Sequence, residues 1–583
     1  METKILNYTF KCNSDIDLTC ASQSDDYIKI KIDINFGKKV KPEPIEISWF
    51  TPANGAFTCW SPLVFQDRKL RPNWGKLETE SRSGHGMPIQ CYIGSDDNNR
   101  ASVYLSDVRT PITIRSGILE ENGKIEWKLV LFSQLIGEIS EYSTELVIDA
   151  RQLPYNNIIS EAVKCWSDKE GASDDKPEAA FDLLYSTWYS YHQRVTDAAL
   201  IPELEAAAKL GMKTVIIDDG WQLETSARGY AYCGDWKAAK NKIPDLKSFS
   251  DKVHSLGMKV MLWFAVPFVG EFAEVRERFK DMYLNDLREG QMAYVLDPRY
   301  PETRKYLCDI YENAVREWDL DGLKLDFIDR FRLTDVSKTS HPDMDTESLQ
   351  DAICTLLCEV NERLNAIKPG FLIEFRQGYV GPIMQKYGNM LRAEDCPQDS
   401  VKNRVAVINL RLTTEKAAVH SDMLMWEQYD TPEDAAEQII NVMFSVPQIS
   451  VKINELSKNH YDMLEFYLKL WQSKRDTLMH GELYAKAPSA NYSIVTAKDD
   501  DNLVSVLYSE KLFIADKDYE CITLINGTGV LGLYVDGNNL NSSYSYDIYD
   551  CMGNVVQSGE TGLVSIRYFD VPKSGVLIMN AKK

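Results

Sequence analysis

A (β/α)8 TIM barrel, flanked by an N-terminal β-sandwich and a small C-terminal β-sandwich, is the architecture this sequence predicts. Three observations predict it. Up to about residue 175, short β-rich runs alternate with turn signals, without long helical periodicity. From Phe181 the rhythm becomes strand, helix, strand and continues for roughly 300 residues, the pattern of a parallel barrel. Beyond about residue 480 the short β runs return. The predicted domains are 1–177, 178–482 and 483–583, the last an antiparallel sandwich.

The first region contains Tyr27-Ile28-Lys29-Ile30-Lys31-Ile32, Ala101-Ser102-Val103-Tyr104-Leu105 and Lys128-Leu129-Val130-Leu131-Phe132, punctuated by turns such as Asn122-Gly123. Alternation of this kind predicts two facing sheets. In the middle region, Leu183–Tyr191 reads as a strand ending in aromatics, and Leu200–Leu210 as an amphipathic helix stopped by Gly211. The apolar run Thr214–Ile217 is a buried strand that ends in Asp218-Asp219-Gly220-Trp221. Helix Phe249–Leu256, stopped by Gly257, leads to strand Val260–Phe264. Pro301 suits the first turn of a helix whose apolar face is Leu307, Ile310, Tyr311, Ala314, Val315 and Trp318. That helix feeds Gly322-Leu323-Lys324-Leu325-Asp326-Phe327, a short strand carrying two charges on one edge. A buried parallel strand is normally apolar throughout, so Lys324 and Asp326 demand partners there. Helix Leu349–Ile367 and strands Phe371–Phe375, Met390–Ala393 and Val419–Leu424 follow, with a last segment at Val446–Ile453. The tail holds Leu503–Tyr508 and Cys521–Ile525 among Gly-Asn and Asn-Gly turns.

Composition narrows the function. A formal net charge of −22 argues against nucleic acid or an anionic membrane as partner and suits a neutral small-molecule substrate. Twelve cysteines at irregular spacing, without a Cys-x-x-Cys pair, read as reduced thiols of the core. With 7 histidines and no ligand cluster, neither a metal nor a cofactor is expected. The first residues show no basic head followed by an apolar segment, so a cytoplasmic address is expected, while an export signal removed from the chain would leave the same sequence.

In a barrel of this kind the chemistry sits where strands end. Those positions hold Trp188, Asp218, Asp219, Trp263, Lys324, Asp326, Glu374, Arg376, Arg392, Glu394, Asp395 and Asp422. Carboxylates accept bonds from several hydroxyls, and an indole face packs on the apolar side of a pyranose. Two carboxylates across a pocket are also what glycoside hydrolysis requires. Each residue has an ordinary alternative. Asp218-Asp219-Gly220 is a turn sequence, the tryptophans suit a core, and Arg392-Ala393-Glu394-Asp395 suits a solvated charge run.

Ser186-Thr187-Trp188-Tyr189, Ile217-Asp218-Asp219-Gly220-Trp221, Leu262-Trp263-Phe264, Tyr294-Val295-Leu296-Asp297 and Leu323-Lys324-Leu325-Asp326-Phe327 resemble successive barrel motifs of glycoside hydrolase family 36, the α-galactosidases. Asn54–Pro62 is similar to a sandwich-domain loop that brings a tryptophan to the pocket in that family. The resemblance implies Asp326 as nucleophile and Asp395 as general acid/base. It further implies that Lys324, Asp218 and Asp219 bind sugar hydroxyls, with Trp188, Trp263 and Trp60 as walls and Arg392 near the acid/base and the 2-OH. Glu394 is the alternative acid, because side chains alternate along a strand.

Two departures accompany the resemblance. Where the family has Cys and Gly in a Ser/Gly-rich stretch, this chain has Glu374-Phe375-Arg376-Gln377-Gly378-Tyr379, and the interval from Arg392 to Asp395 is short. Arg376 is therefore expected either to pair with Glu374, two residues away on the same face, or to reach the ligand. The leading expectation is a retaining exo-α-galactosidase. Alternatives are an enzyme for an α-N-acetylgalactosaminide or a β-L-arabinopyranoside, a transglycosylase of the raffinose-synthase kind, and a non-catalytic sugar-binding protein.

Overall fold

The computed structural model describes residues 2–24, 26–171, 176–287, 290–376, 378–562 and 565–582. The predicted barrel is present. Eight strands close in the order of the chain: β1 (Leu184–Ser186), β2 (Thr214–Ile217), β3 (Lys259–Ala265), β4 (Gly322–Asp326), β5 (Leu372–Arg376), β6 (Met390–Arg392), β7 (Ala418–Leu424) and β8 (Val446–Ile449). All neighbouring pairs are parallel, and β8 returns to β1. The helices between them start on side-chain caps where the sequence supplies one. Thr196 accepts from Ala199 N, Asp245 from Ser248 N, Ser348 from Asp351 N and Asp399 from Lys402 N. Helix Pro301–Trp318 instead begins on proline and ends on Asp319, whose left-handed backbone turns the chain into β4.

Register decides which charges meet. Trp263 lies opposite Lys324, Lys324 opposite Glu374, Arg376 opposite Arg392, and Arg392 opposite His420. The strand ends therefore present one continuous polar rim around the barrel mouth.

Before the barrel, sheets of seven and six strands face each other over Ile30, Ile32, Ile47, Ile114 and Leu129, with Trp49 stacked on Trp127 at 6.3 Å. Strand Tyr27–Val40 alternates buried and accessible residues, as its sequence implied. The tail forms a seven-stranded and a three-stranded sheet. It is not wholly antiparallel, as the sequence suggested, because Asn502–Leu507 runs parallel to Cys521–Asn526.

Three further expectations are corrected. Helix Tyr155–Glu170 lies in the region read as purely β, and buries Tyr155, Ile158, Ile159, Ala162, Val163 and Trp166 at helical spacing. The aromatic end of the first predicted strand is a separate helical turn, Trp188–Tyr191. Ala293–Val295, inside the motif ending at Asp297, pairs antiparallel with Phe268–Gly270 outside the barrel, so it is an excursion between β3 and β4. All 12 cysteines are unpaired; eight are buried and only Cys20 is exposed. Among the described residues no helix is long and apolar enough to cross a membrane.

Candidate active site at the barrel mouth

A cavity of about 130 Å³ opens at the C-terminal ends of the strands. Nine of the twelve strand-end residues read from the sequence line it: Trp188, Asp218, Asp219, Trp263, Lys324, Asp326, Arg376, Arg392 and Asp395. Tyr230 and Phe327 complete the wall. Four carboxylates face three cations across this small volume, a balance that suits an uncharged ligand.

Asp326, the last residue of β4, is 6% exposed and accepts four hydrogen bonds. Its Oδ1 receives Arg376 Nε at 2.7 Å, Tyr379 Oη at 2.7 Å and its neighbour's backbone N–H, Phe327 N, at 2.8 Å. Its Oδ2 receives Trp263 Nε1 at 3.0 Å. Burial opposes the charge, but the Arg376 guanidinium and the Lys324 ammonium, aided by Trp263 and Tyr379, hold the carboxyl well below the usual carboxylate range. These partners favour the ionised form of Asp326. Phe327 has φ 66°, a left-handed conformation that is costly for a ringed side chain. That turn aims its N–H at Asp326.

Lys324 points to the same mouth and donates to Asp218 Oδ2 at 2.5 Å. Asp218 is fixed in turn by its backbone N–H donating to Thr187 Oγ1 at 3.0 Å. Asp219 accepts from Gln193 Nε2 at 2.9 Å and Gln222 Nε2 at 2.8 Å, while burial raises its pKa. Trp188 is half-buried, with the Arg228 guanidinium over its ring at 5.4 Å.

Arg392 closes the far side. It is 1% exposed, donates to Asp422 Oδ1, and donates to Asp395 Oδ1 at 2.8 Å from Nη2. Asp395 lies three residues past the end of β6, and its side chain is half-exposed. Burial raises its pKa, but Arg392 foremost, then Arg376 and Lys324, bring the carboxyl below the ordinary range. Asp422 sits inside β7 rather than at its tip, where burial raises its pKa. It accepts from Tyr189 Oη at 2.8 Å and Cys396 N at 2.7 Å, so it orients the stretch bearing Asp395.

Trp60 is the residue the structure does not bring here. It is fully buried, and its indole N–H faces Tyr492 Oη at 3.0 Å and Asn409 Oδ1 at 3.3 Å, at a junction of the three domains. Its motif lies on a strand whose partners fix it in the sandwich. Arg376 does not pair with Glu374, because Asp326 captures its Nε. Glu374 is instead engaged by Gln448 Nε2 and lies 3.8 Å from Arg392 Nε. Gln377, named with Arg376 as a departure, lies outside the described residues. Glu394 turns to Lys402 Nζ at 3.3 Å; β6 ends at Arg392, so strand alternation never reaches Glu394 and Asp395.

Sequence reasoning assigned no role to Tyr379, Phe327, Tyr230 or Tyr189. Tyr379, Phe327 and Tyr189 lay within the quoted motifs, where aromatic residues beside carboxylates were the available signal. Tyr230 comes from a long loop after β2 and had none.

Residues 177–393 match the melibiase family model. The chain is 28% identical over 151 residues to α-galactosidase Mel36A of Lactobacillus acidophilus, covering 25% of this chain and 20% of that protein. It is 20% identical over 384 residues to α-galactosidase 1 of Pediococcus pentosaceus, covering 63% and 51%. The chain thus spans about half or less of the length of these curated relatives. Among solved structures, the GH36 α-galactosidase AgaA of Geobacillus stearothermophilus in complex with raffinose superposes with a TM-score of 0.66 at 14% identity, over 99% of this chain and 81% of that one. The α-galactosidase of Lactobacillus brevis gives 0.64 at 14%, over 100% and 80%. At such identity the likeness is one of fold.

Proposed function

We propose, of a chain that carries a melibiase domain over residues 177–393, that its barrel mouth hydrolyses terminal α-galactosides with retention of configuration. Asp326 is the nucleophile and Asp395 the general acid/base. The observation that carries this reading is that one small cavity is lined by two carboxylates of unlike exposure, Asp326 buried and held by four donors and Asp395 half-exposed.

The sugar is held by the Lys324–Asp218 pair and Asp219, whose lone pairs and protons suit hydroxyls, with Trp263 and Trp188 as apolar walls. In the first step Asp326 attacks the anomeric carbon and Asp395 protonates the departing oxygen; in the second, Asp395 takes a proton from water, which displaces Asp326. Four carboxylates and three cations leave no strong preference for an anionic sugar. Curated relatives named α-galactosidases support the choice of sugar.

A panel of aryl glycosides tests the reading. Turnover confined to α-galactosides, with α-galactose as the first-formed product by NMR, supports it. Turnover only of α-N-acetylgalactosaminides or β-L-arabinopyranosides would replace the substrate, and inversion would replace the mechanism.

A further inference from the structure

We propose that Arg376 and Tyr379 form a positioning clamp that immobilises Oδ1 of Asp326 and commits Oδ2 to the bond with the anomeric carbon. The clamp rests on the reading of Asp326 as nucleophile. A carboxylate offers about two lone-pair directions on each oxygen. Oδ1 already receives three donors, Arg376 Nε, Tyr379 Oη and Phe327 N, all within 2.8 Å. Among the described residues, Oδ2 receives only Trp263 Nε1, at 3.0 Å. One oxygen is saturated, and the other retains a lone pair toward the cavity.

The donors to Oδ1 are themselves held. Tyr379 is 1% exposed, and the Arg376 guanidinium lies over the rings of Phe327 at 5.4 Å and Tyr379 at 5.6 Å. Gly378 and Gly381, on either side of Tyr379, pack closely on the N-terminal sandwich. Gly86 N donates to Gly378 O at 2.8 Å, and a Cβ at Gly378 would lie 2.9 Å from the His85 ring. A Cβ at Gly381 would meet Gly86 O at 3.3 Å. The sandwich therefore fixes the clamp without contributing a group to the cavity.

The clamp acts on both halves of the reaction. In the first, Oδ2 forms the bond to C1 as the bond from C1 to the departing oxygen breaks, and that oxygen takes the proton of Asp395. In the second, the water oxygen bonds to C1 and passes a proton to Asp395. The Oδ2–C1 bond then breaks, and its electron pair returns to a carboxylate that Arg376 and Tyr379 stabilise. A clamped carboxylate is a weaker nucleophile and a better leaving group, so the first step limits the rate and the glycosyl-enzyme does not accumulate.

The test compares the wild-type chain with Arg376→Met, Arg376→Lys and Tyr379→Phe, on 2,4-dinitrophenyl α-galactoside and α-galactosyl fluoride. Attack needs Asp326 ionised, and removing a donor raises the pH at which it becomes so. The acid limb of kcat/KM on the fluoride, which lies below the accessible range in the wild type, should move up into view in Arg376→Met, and by less in Tyr379→Phe. In both, kcat should fall roughly 10- to 100-fold with KM falling alongside it, and a burst of dinitrophenolate absent from the wild type should appear. Arg376→Lys should recover part of the loss. If Arg376→Met does not fold, Tyr379→Phe, which loses one hydroxyl, carries the comparison. Folded variants with an unmoved acid limb and no burst overturn the clamp alone. A wild type inert on both galactosides overturns the proposed function and the clamp with it.

Discussion

The Nζ of Lys324 lies 2.5 Å from Oδ2 of Asp218, with both side chains about 5% exposed or less. A buried pair of this kind is costly to break on one side, because the remaining charge is uncompensated. Asp218→Ala should therefore destabilise the barrel by about 3–5 kcal/mol and abolish galactoside binding. Thermal unfolding of Asp218→Ala, Lys324→Met and the double variant checks it. The double variant should lose clearly less than the sum of the singles.

Asp326→Asn should leave the fold intact and lower turnover by several orders of magnitude, since the other carboxylates of the cavity are engaged by Lys324, Gln193, Gln222 and Arg392. Azide supplied externally should restore part of the rate and yield the β-galactosyl azide. Near wild-type activity in this variant would remove Asp326 from its role.

Asp395 must carry a proton to assist departure of an alkyl aglycone. The Arg392 ion pair holds its carboxyl below the ordinary range, so the proton is already lost at low pH and the protonated fraction falls as pH rises. For an alkyl α-galactoside, kcat/KM should drop about tenfold per pH unit above that range. For α-galactosyl fluoride, which leaves without a proton, the profile should be flat over the same interval. Parallel profiles for both substrates would exclude Asp395 as the acid.

Asn409 binds the domains together. Its Oδ1 accepts from Arg68 Nη2 at 2.6 Å, Tyr492 Oη at 2.7 Å and Trp60 Nε1 at 3.3 Å, while Nδ2 donates to Pro62 O at 2.9 Å. Asn409→Ala orphans several buried groups, each costing about 1–3 kcal/mol, and should markedly lower the melting temperature. Trp60→Phe should be milder and should leave KM unchanged, because Trp60 does not line the cavity.

The contrast between Trp60 and Trp263 shows what the sequence could convey. Strand tips were legible because each falls at the end of an apolar run followed by a helix, and Trp263, Lys324 and Asp326 inherited the right face from that rhythm alone. The destination of Trp60 depended on Asn409 and Tyr492, far away in the chain, which no local pattern encodes. The pairing of Arg376 with Glu374 failed for a related reason, while Arg376 itself does line the cavity. Strand spacing correctly put Glu374 on its face, but the competition from Asp326 on the neighbouring strand is a tertiary fact. The turn at Phe327 was invisible because nothing in the sequence marks a left-handed phenylalanine.

That turn has a consequence for anyone wishing to make the protein hardier. A left-handed backbone costs a residue with a side chain roughly 1–2 kcal/mol that glycine does not incur, but the Phe327 ring is buried against Tyr230, Trp263 and Phe268, and deleting such a ring costs about 3–5 kcal/mol, so glycine at 327 would lower thermal tolerance. Glycine there would also remove the ring that supports Arg376 and loosen the peptide aimed at Asp326. The misfit is held by the packing around it, and a library ranked by heat resistance would retain ring and strain together.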